Sequence, residues 1–150
     1  MFTQAAAPFR FVFLTLLVVL PGCSKSDFER FREEAEKGNA NAQVYVANCY
    51  LNGDGAPKDM AKALSWFHRA AMQGHSGAQT DLGVRYLYGL GVAKDEIEAY
   101  AYFSLAGSSN SLASQNLSFL QSKLPSDVRL LGVKRKKEFQ KEITENQARR

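Results

Sequence analysis

Residues 35–106 state one pattern twice, and that constrains the fold more than anything else in the chain. Displaced by thirty-six residues, the sequence matches itself at thirteen of thirty-six positions. The matches include Ala35/Ala71, Gly38/Gly74, Ala42/Ala78, Gln43/Gln79, Tyr50/Tyr86, Gly53/Gly89, Gly55/Gly91, Asp59/Asp95, Phe67/Phe103 and Ala70/Ala106. They fall on Gly, Ala and aromatic residues, which backbone geometry and packing constrain most. A fixed period of roughly twenty to fifty residues marks a repeat architecture, in which one unit cannot bury its own apolar face and needs a neighbour.

Within each unit the spacings are helical. Ala42, Val46 and Tyr50 recur at i, i+4, i+8, as do Ala78, Leu82 and Tyr86, so each trio makes one apolar stripe. Gly53 and Gly55, then Gly89 and Gly91, close the first helix and open a loop, and Asp59 and Asp95 stand where a second helix begins. Ala63, Trp66, Phe67 and Ala70 form a second stripe, repeated by Ala99, Tyr102, Phe103 and Ala106. Gly38 and Gly74 end the second helices. No alternating strand pattern interrupts the series. The expected fold is all-α, an α-solenoid of stacked antiparallel helix pairs with about seven helices after an N-terminal signal segment.

The run Ala-Gln-x-x-Leu-Gly-x-x-Tyr-x-x-Gly-x-Gly-Val-x-x-Asp over Ala78–Asp95 resembles the Sel1-like repeat, a relative of the tetratricopeptide repeat. Ala42–Ala71 is similar, departing at Val46, Ala47 and Ala56. The reading divides the chain into a lone capping helix 26–37, repeats 38–73 and 74–109, and a degenerate capping repeat 110–143 ending in a helix from about Ser126 to Glu142. Residues 23–145 make the repeat domain, and 146–150 a fraying basic tail. The resemblance implies a non-enzymatic scaffold that binds a protein, with first helices lining the inner side of the stack. In the family register the inward, non-core positions are Val44, Asn48 and Asn52, then Thr80, Val84 and Tyr88, with Arg85 adjacent and Asn116 in the third unit. Proteins resembling this chain act as adaptors, and the alternatives for it are an envelope adaptor in signalling or cell-wall regulation and, as the contrasting class, a hydrolase. Small secreted relatives include immunity proteins that neutralise antibacterial effectors such as secreted phospholipases.

The first twenty-two residues read as an address. Arg10 precedes ten uncharged apolar residues ending at Leu20, too few to span a bilayer as a helix and suited to the core of a secretory signal. Leu20-Pro21-Gly22-Cys23 resembles the bacterial lipobox, which implies cleavage after Gly22 and lipidation of Cys23. The alternative is a plain secretion signal with Cys23 an ordinary thiol. The expected location is the periplasm, the chain being lipid-anchored to a membrane. Ser24-Lys25-Ser26 leaves inner and outer membrane both open. With Cys23 lipidated, Cys49 has no partner for a disulfide within the chain and is expected to be buried.

Composition excludes little, but charge placement is informative. The net charge of +4 is made of +1 from Arg10, −1 over residues 23–133 and +4 over the last seventeen residues. Lys134-Arg135-Lys136-Lys137 thus belongs to a tail, and export removes the chain from nucleic acid. It is expected to be a solvated helix face beside a membrane or an acidic partner. No catalytic arrangement stands out. Gly74-His75-Ser76-Gly77 lacks the spacing and preceding strand of a nucleophile elbow. His68 and His75, the only histidines, match no zinc pattern, and Asn52-Gly53-Asp54-Gly55 lacks the later ligands of a calcium loop. No cofactor, metal or small-molecule substrate is expected.

Overall fold

The computed structural model describes residues 24–149, which form seven α-helices and no strand. They are α1 Lys25–Glu36, α2 Ala40–Asn52, α3 Met60–Ala71, α4 Ser76–Tyr88, α5 Glu96–Ala106, α6 Ser111–Lys123 and α7 Ser126–Ala148, with a 3₁₀ turn over Gly107–Ser109. The signal segment, Cys23 and Arg150 lie outside the described residues.

Helices α1 to α6 each start where a side chain satisfies backbone N–H groups that have no partner within the helix, whereas α7 follows Pro125 without a side-chain cap. Ser24 caps α1, Asp59 caps α3 and Asp95 caps α5. The first helices of the three units use Asn39, His75 and Asn110, whose side chains accept from the N–H of Ala42, Ala78 and Ala113. These caps give the register of the third unit. Asn39 to His75 is thirty-six residues, but His75 to Asn110 is thirty-five, so α6 arrives one residue early. At the other end of α2 and α4, Gly53 (φ +85°) and Gly89 (φ +70°) stop the helix in the left-handed region. Asp59 N–H then donates to Tyr50 C=O, and Asp95 N–H to Tyr86 C=O, closing both loops alike.

The units stack through a repeated polar strut. Gln43, buried in α2, donates its amide to Ala35 C=O in the last turn of α1 at 3.0 Å, and Gln79 in α4 does the same to Ala71 C=O of α3. Around these struts the small residues Ala35, Ala42, Ala47, Ala63, Ala70, Ala71 and Ala78 are almost wholly buried, and Phe67, Tyr102 and Phe103 fill the space between helices. Gly83 shows how tight the packing is: a Cβ there would lie 2.7 Å from the Phe103 ring. Ala47 holds the same place in the first unit.

The C-terminal part departs from the expected pattern. α7 packs chiefly along α5, where Gly132 lets the Tyr100 ring come within 2.6 Å of where a Cβ would stand. Phe139 inserts into the core, 4.7 Å from the Tyr102 ring, and Arg135 pairs with Glu98 of α5. The helix does not stop near Glu142 but continues to Ala148, because Ile143 still packs on the core formed by α3, α4 and α5. The fraying tail expected from 146 is therefore helical to Ala148. Cys49 is also corrected. It is fully buried among Phe28, Ala42 and Val46, as expected, but it is disulfide-bonded and not an unpaired thiol.

Two substitutions test this packing by thermal unfolding. Gly83→Ala should cost about 1–3 kcal/mol, because the Phe103 ring has no free space to retreat into. Gln79→Leu should cost about 0.5–1.5 kcal/mol, the worth of one hydrogen bond, because the Ala71 carbonyl loses the link to α4 and keeps only the Gly74 N–H.

Candidate partner-binding surface

The first helices α2, α4 and α6 form the layer facing away from α7, which covers α5 and reaches α3. On this layer the outward positions follow a helical stripe. In α2 they are Asn41, Tyr45, Asn48 and Asn52, at i, i+4, i+7 and i+11, with Tyr45 half-buried against Phe31; thirty-six residues on they are Gly77, Asp81, Val84 and Tyr88, with Gly77 and Val84 half-buried. Applying the thirty-five-residue step adds Leu112, Asn116, Phe119 and Lys123 from α6.

The predicted positions divide. Asn48 and Asn52 are exposed, and Tyr88 keeps 64% of its surface. Val84 is half-buried against the Leu87–Phe103–Leu120 cluster and presents its remaining surface. Asn116 is half-buried and donates to Leu112 C=O at 2.9 Å. Thr80 is only 4% exposed, and its hydroxyl donates to Ser76 C=O at 2.8 Å, so it cannot take part in a surface. Val44, its counterpart, turns toward the core cluster of α2, α3 and α4. Both lie one residue off the exposed stripe, which at 100° per residue is enough to turn a side chain inward.

Sequence reasoning missed Asn41 and Asp81, which are exposed on this face. The i, i+4, i+7, i+11 stripe beginning at Asn41 was the available signal. It also missed Leu112 (51% exposed) and Phe119 (48% exposed), because the shortened third unit hid their register. Lys123 sits over the Phe119 ring, 5.9 Å from its centre. The face therefore offers asparagine amides in the first unit and exposed Tyr, Leu and Phe surface toward the third. Crowding by surrounding protein pushes the Asp81 carboxyl above its ordinary range although the side chain still reaches solvent; Arg85 and His75 pull it back.

Arg85 is adjacent to the stripe but is not an open surface group: 8% of it is exposed, and burial lowers its pKa against the opposing charge of Asp81. Of the basic run, Arg135 is structural, bonded to Glu98 and Glu138, whereas Lys134 and Lys137 are solvated. His68 is exposed on the rim of a recess of about 660 Å³ between α1, α3 and the end of α7, whose walls mix Lys37 and Arg69 with Glu36 and Glu142. His75 does a local job. Its Nδ1 accepts from Ala78 N–H, so the proton sits on Nε2, which donates to Asn41 Oδ1 at 3.1 Å and ties α4 to α2. Among the described residues no three His, Cys, Asp or Glu groups are placed to hold a metal, and no helix is long and apolar enough to cross a membrane.

Comparison with known proteins gives the same units. The family described as Sel1 repeat matches residues 40–75 and 76–111, each beginning at a first helix. A 57-residue stretch is 40% identical to the secretory immunoglobulin A-binding protein EsiB of Escherichia coli O6:H1 strain CFT073, covering 38% of this chain and 12% of EsiB. Among solved structures, a protective antigen of uropathogenic Escherichia coli displaying an SLR fold superposes with a TM-score of 0.72 at 35% identity, over 83% of this chain and 27% of that one. A Sel1 repeat protein from Oxalobacter formigenes gives 0.62 at 26% identity, over 66% of this chain and 41% of that one. The chain thus spans less than half the length of each of these relatives.

The cap geometry yields a prediction. His75→Ala should lower stability by about 1 kcal/mol, since the Ala78 N–H loses its acceptor, while His75→Asn should restore most of it. Urea unfolding followed by circular dichroism reads both.

Proposed function

The chain is a Sel1-repeat protein across residues 40–111, and from that premise we propose that it binds a protein along the outward stripe of α2, α4 and α6. Sel1 repeats are protein-interaction scaffolds, and the stripe is where this chain places exposed side chains that the stack does not need. The observation that carries the reading is the run Val84, Tyr88, Leu112 and Phe119, apolar surface on a face whose other exposed members are the polar Asn41, Asn48, Asn52, Asp81 and Lys123. Aromatic side chains on a rigid backing are favoured at interface centres, because they offer large area at little entropic cost.

The finer reading is that of an envelope lipoprotein acting as an immunity protein, which holds and blocks an antibacterial effector such as a secreted phospholipase. Its support is the signal-like segment ending in Leu20-Pro21-Gly22-Cys23. Tethering an inhibitor at the membrane raises its local concentration where a membrane-attacking enzyme works. Binding of immunoglobulin A is not carried over from EsiB, since the shared stretch is 12% of that protein and consists of repeat.

The anchor meets one chemical constraint. The chain has two cysteines, and Cys49 is disulfide-bonded. A thioether at Cys23 would leave Cys49 no partner within the chain, so the two modifications exclude each other in one molecule. Labelling cells with palmitate separates them. The anchored form takes up label that is lost in Cys23→Ser. A label-free chain whose two thiols are alkylated only after reduction would rule the anchor out.

The binding face has its own test. Val84→Asp combined with Tyr88→Ala should leave the helical spectrum intact and weaken the partner complex at least about tenfold, the loss expected when a hot-spot aromatic is truncated. Undiminished affinity in a folded double variant would move the site to another face.

A further inference from the structure

We propose that Arg85 receives a carboxylate from the protein partner, an Asp or Glu side chain docking at the junction between the two repeats. The proposal rests on the protein-binding reading above and adds the chemistry of one contact.

Arg85 is a charge without a mate. It is more than nine-tenths buried, and its Nε is enclosed with no hydrogen-bond acceptor. Nη1 reaches only the Met60 sulfur and Leu90 C=O, both at 3.5 Å, the limit of a useful contact. Among the described residues no carboxylate lies within ion-pair distance, and the guanidinium carbon stands 5.2 Å from the centre of the Phe67 ring. Nη2 makes no hydrogen bond among the described residues and is not among the buried unpartnered atoms, so it is the nitrogen that meets solvent. Nη2 is therefore the atom an incoming carboxylate meets first, and the enclosed Nε must turn outward with it before the two can grip a carboxylate with parallel hydrogen bonds. Arg135 shows the satisfied alternative in the same molecule, with Nε 2.6 Å from Glu98 and Nη1 2.9 Å from Glu138.

The stack itself does not require an arginine here. Its counterpart in the first unit is Cys49 and in the third Leu120, both apolar and almost wholly buried. An apolar side chain thus serves the packing in both neighbouring units. An unpaired buried guanidinium costs stability, and a ligand that completes it only on binding recovers that loss as affinity. The surroundings suit a protein contact: Tyr88 and Leu90 flank the site with 64% and 49% of their surface exposed. Asp81, one turn before Arg85, is the rival partner within the chain, and it forms no ion pair with it.

The test uses the full chain in detergent, with the Nε–Hε resonance of Arg85 followed during titration at constant ionic strength. The probes are acetyl-Gly-Asp-Gly-amide and, as the uncharged control, acetyl-Gly-Asn-Gly-amide. A saturable shift of Arg85 with the Asp peptide, at least tenfold weaker with the Asn peptide, supports the proposal. So does a weaker response in Arg85→Lys, which keeps the charge but loses the fork, and an equal or stronger one in Asp81→Asn, which removes a competing anion. No shift with the Asp peptide overturns it, as does a shift that Asp81→Asn abolishes. Arg85→Met should keep or raise the melting temperature; a clear fall would make the residue structural and overturn the proposal as well. The underlying reading fails separately. If a partner complex survives Arg85→Met but not the Val84/Tyr88 double substitution, the binding face stands and the carboxylate site falls.

Discussion

The stack depends on one buried hydrogen bond made twice. A glutamine in each first helix reaches back to a carbonyl in the last turn of the helix before it, Gln43 to Ala35 and Gln79 to Ala71. Each of these carbonyls also accepts a turn N–H, from Gly38 and Gly74, which closes the helix end but ties it to no neighbour. The amide takes the second lone pair and fixes the distance and rotation between helices. Alanines on both sides then fit, because the spacing is too small for larger side chains. Where the strut is shortened, the repeat loses its form: Ser114 stands in its place in α6, bonding to Gly107 C=O at 3.3 Å and Asn110 C=O at 3.2 Å.

The shortened third unit follows from the same geometry. A serine hydroxyl sits on a much shorter stem than a glutamine amide, and α6 begins one residue earlier than the period demands. α7 answers by leaving the repeat pattern and lying on α5, with Gly132 under Tyr100, Phe139 beside Tyr102 and Arg135 on Glu98. Burial, with Tyr86 and Glu98 close by, pushes the Tyr102 phenol far above its ordinary pKa, as suits a ring in the dry centre of the stack. α7 thus closes the core and leaves the opposite layer of first helices open, which is why binding is placed there.

Much of the fold was legible because repetition amplifies weak signals. A single Gly or Asp says little, but Gly53/Gly89 and Asp59/Asp95 at equal spacing identify a helix stop and a helix start, and the structure has both. The binding layer was legible only in part. Val44 and Thr80 were placed outward and face inward, since a one-residue error rotates a helical side chain by about 100°. Asn48, Asn52, Val84 and Tyr88 tolerated the same uncertainty because they lie in the middle of the exposed arc. Leu112 and Phe119 were hidden by the thirty-five-residue step, which only the caps disclose. The state of Cys49 could not be read from a motif that speaks for Cys23 alone.

The sequence by itself determined what local chemistry and periodicity can encode: seven helices, the caps at Asp59 and Asp95, the glycine stops and the thirty-six-residue stacking unit. Those depend on residues near one another along the chain. The tertiary structure decided what depends on distant residues meeting: the seat of α7 on α5, the face of Thr80, and the isolation of Arg85 between Met60, Phe67 and Leu90. The physical reason is that a side chain's energy is set by what surrounds it. An arginine in a list of residues is a surface charge by default, and only its neighbours in space make it a buried one without a partner.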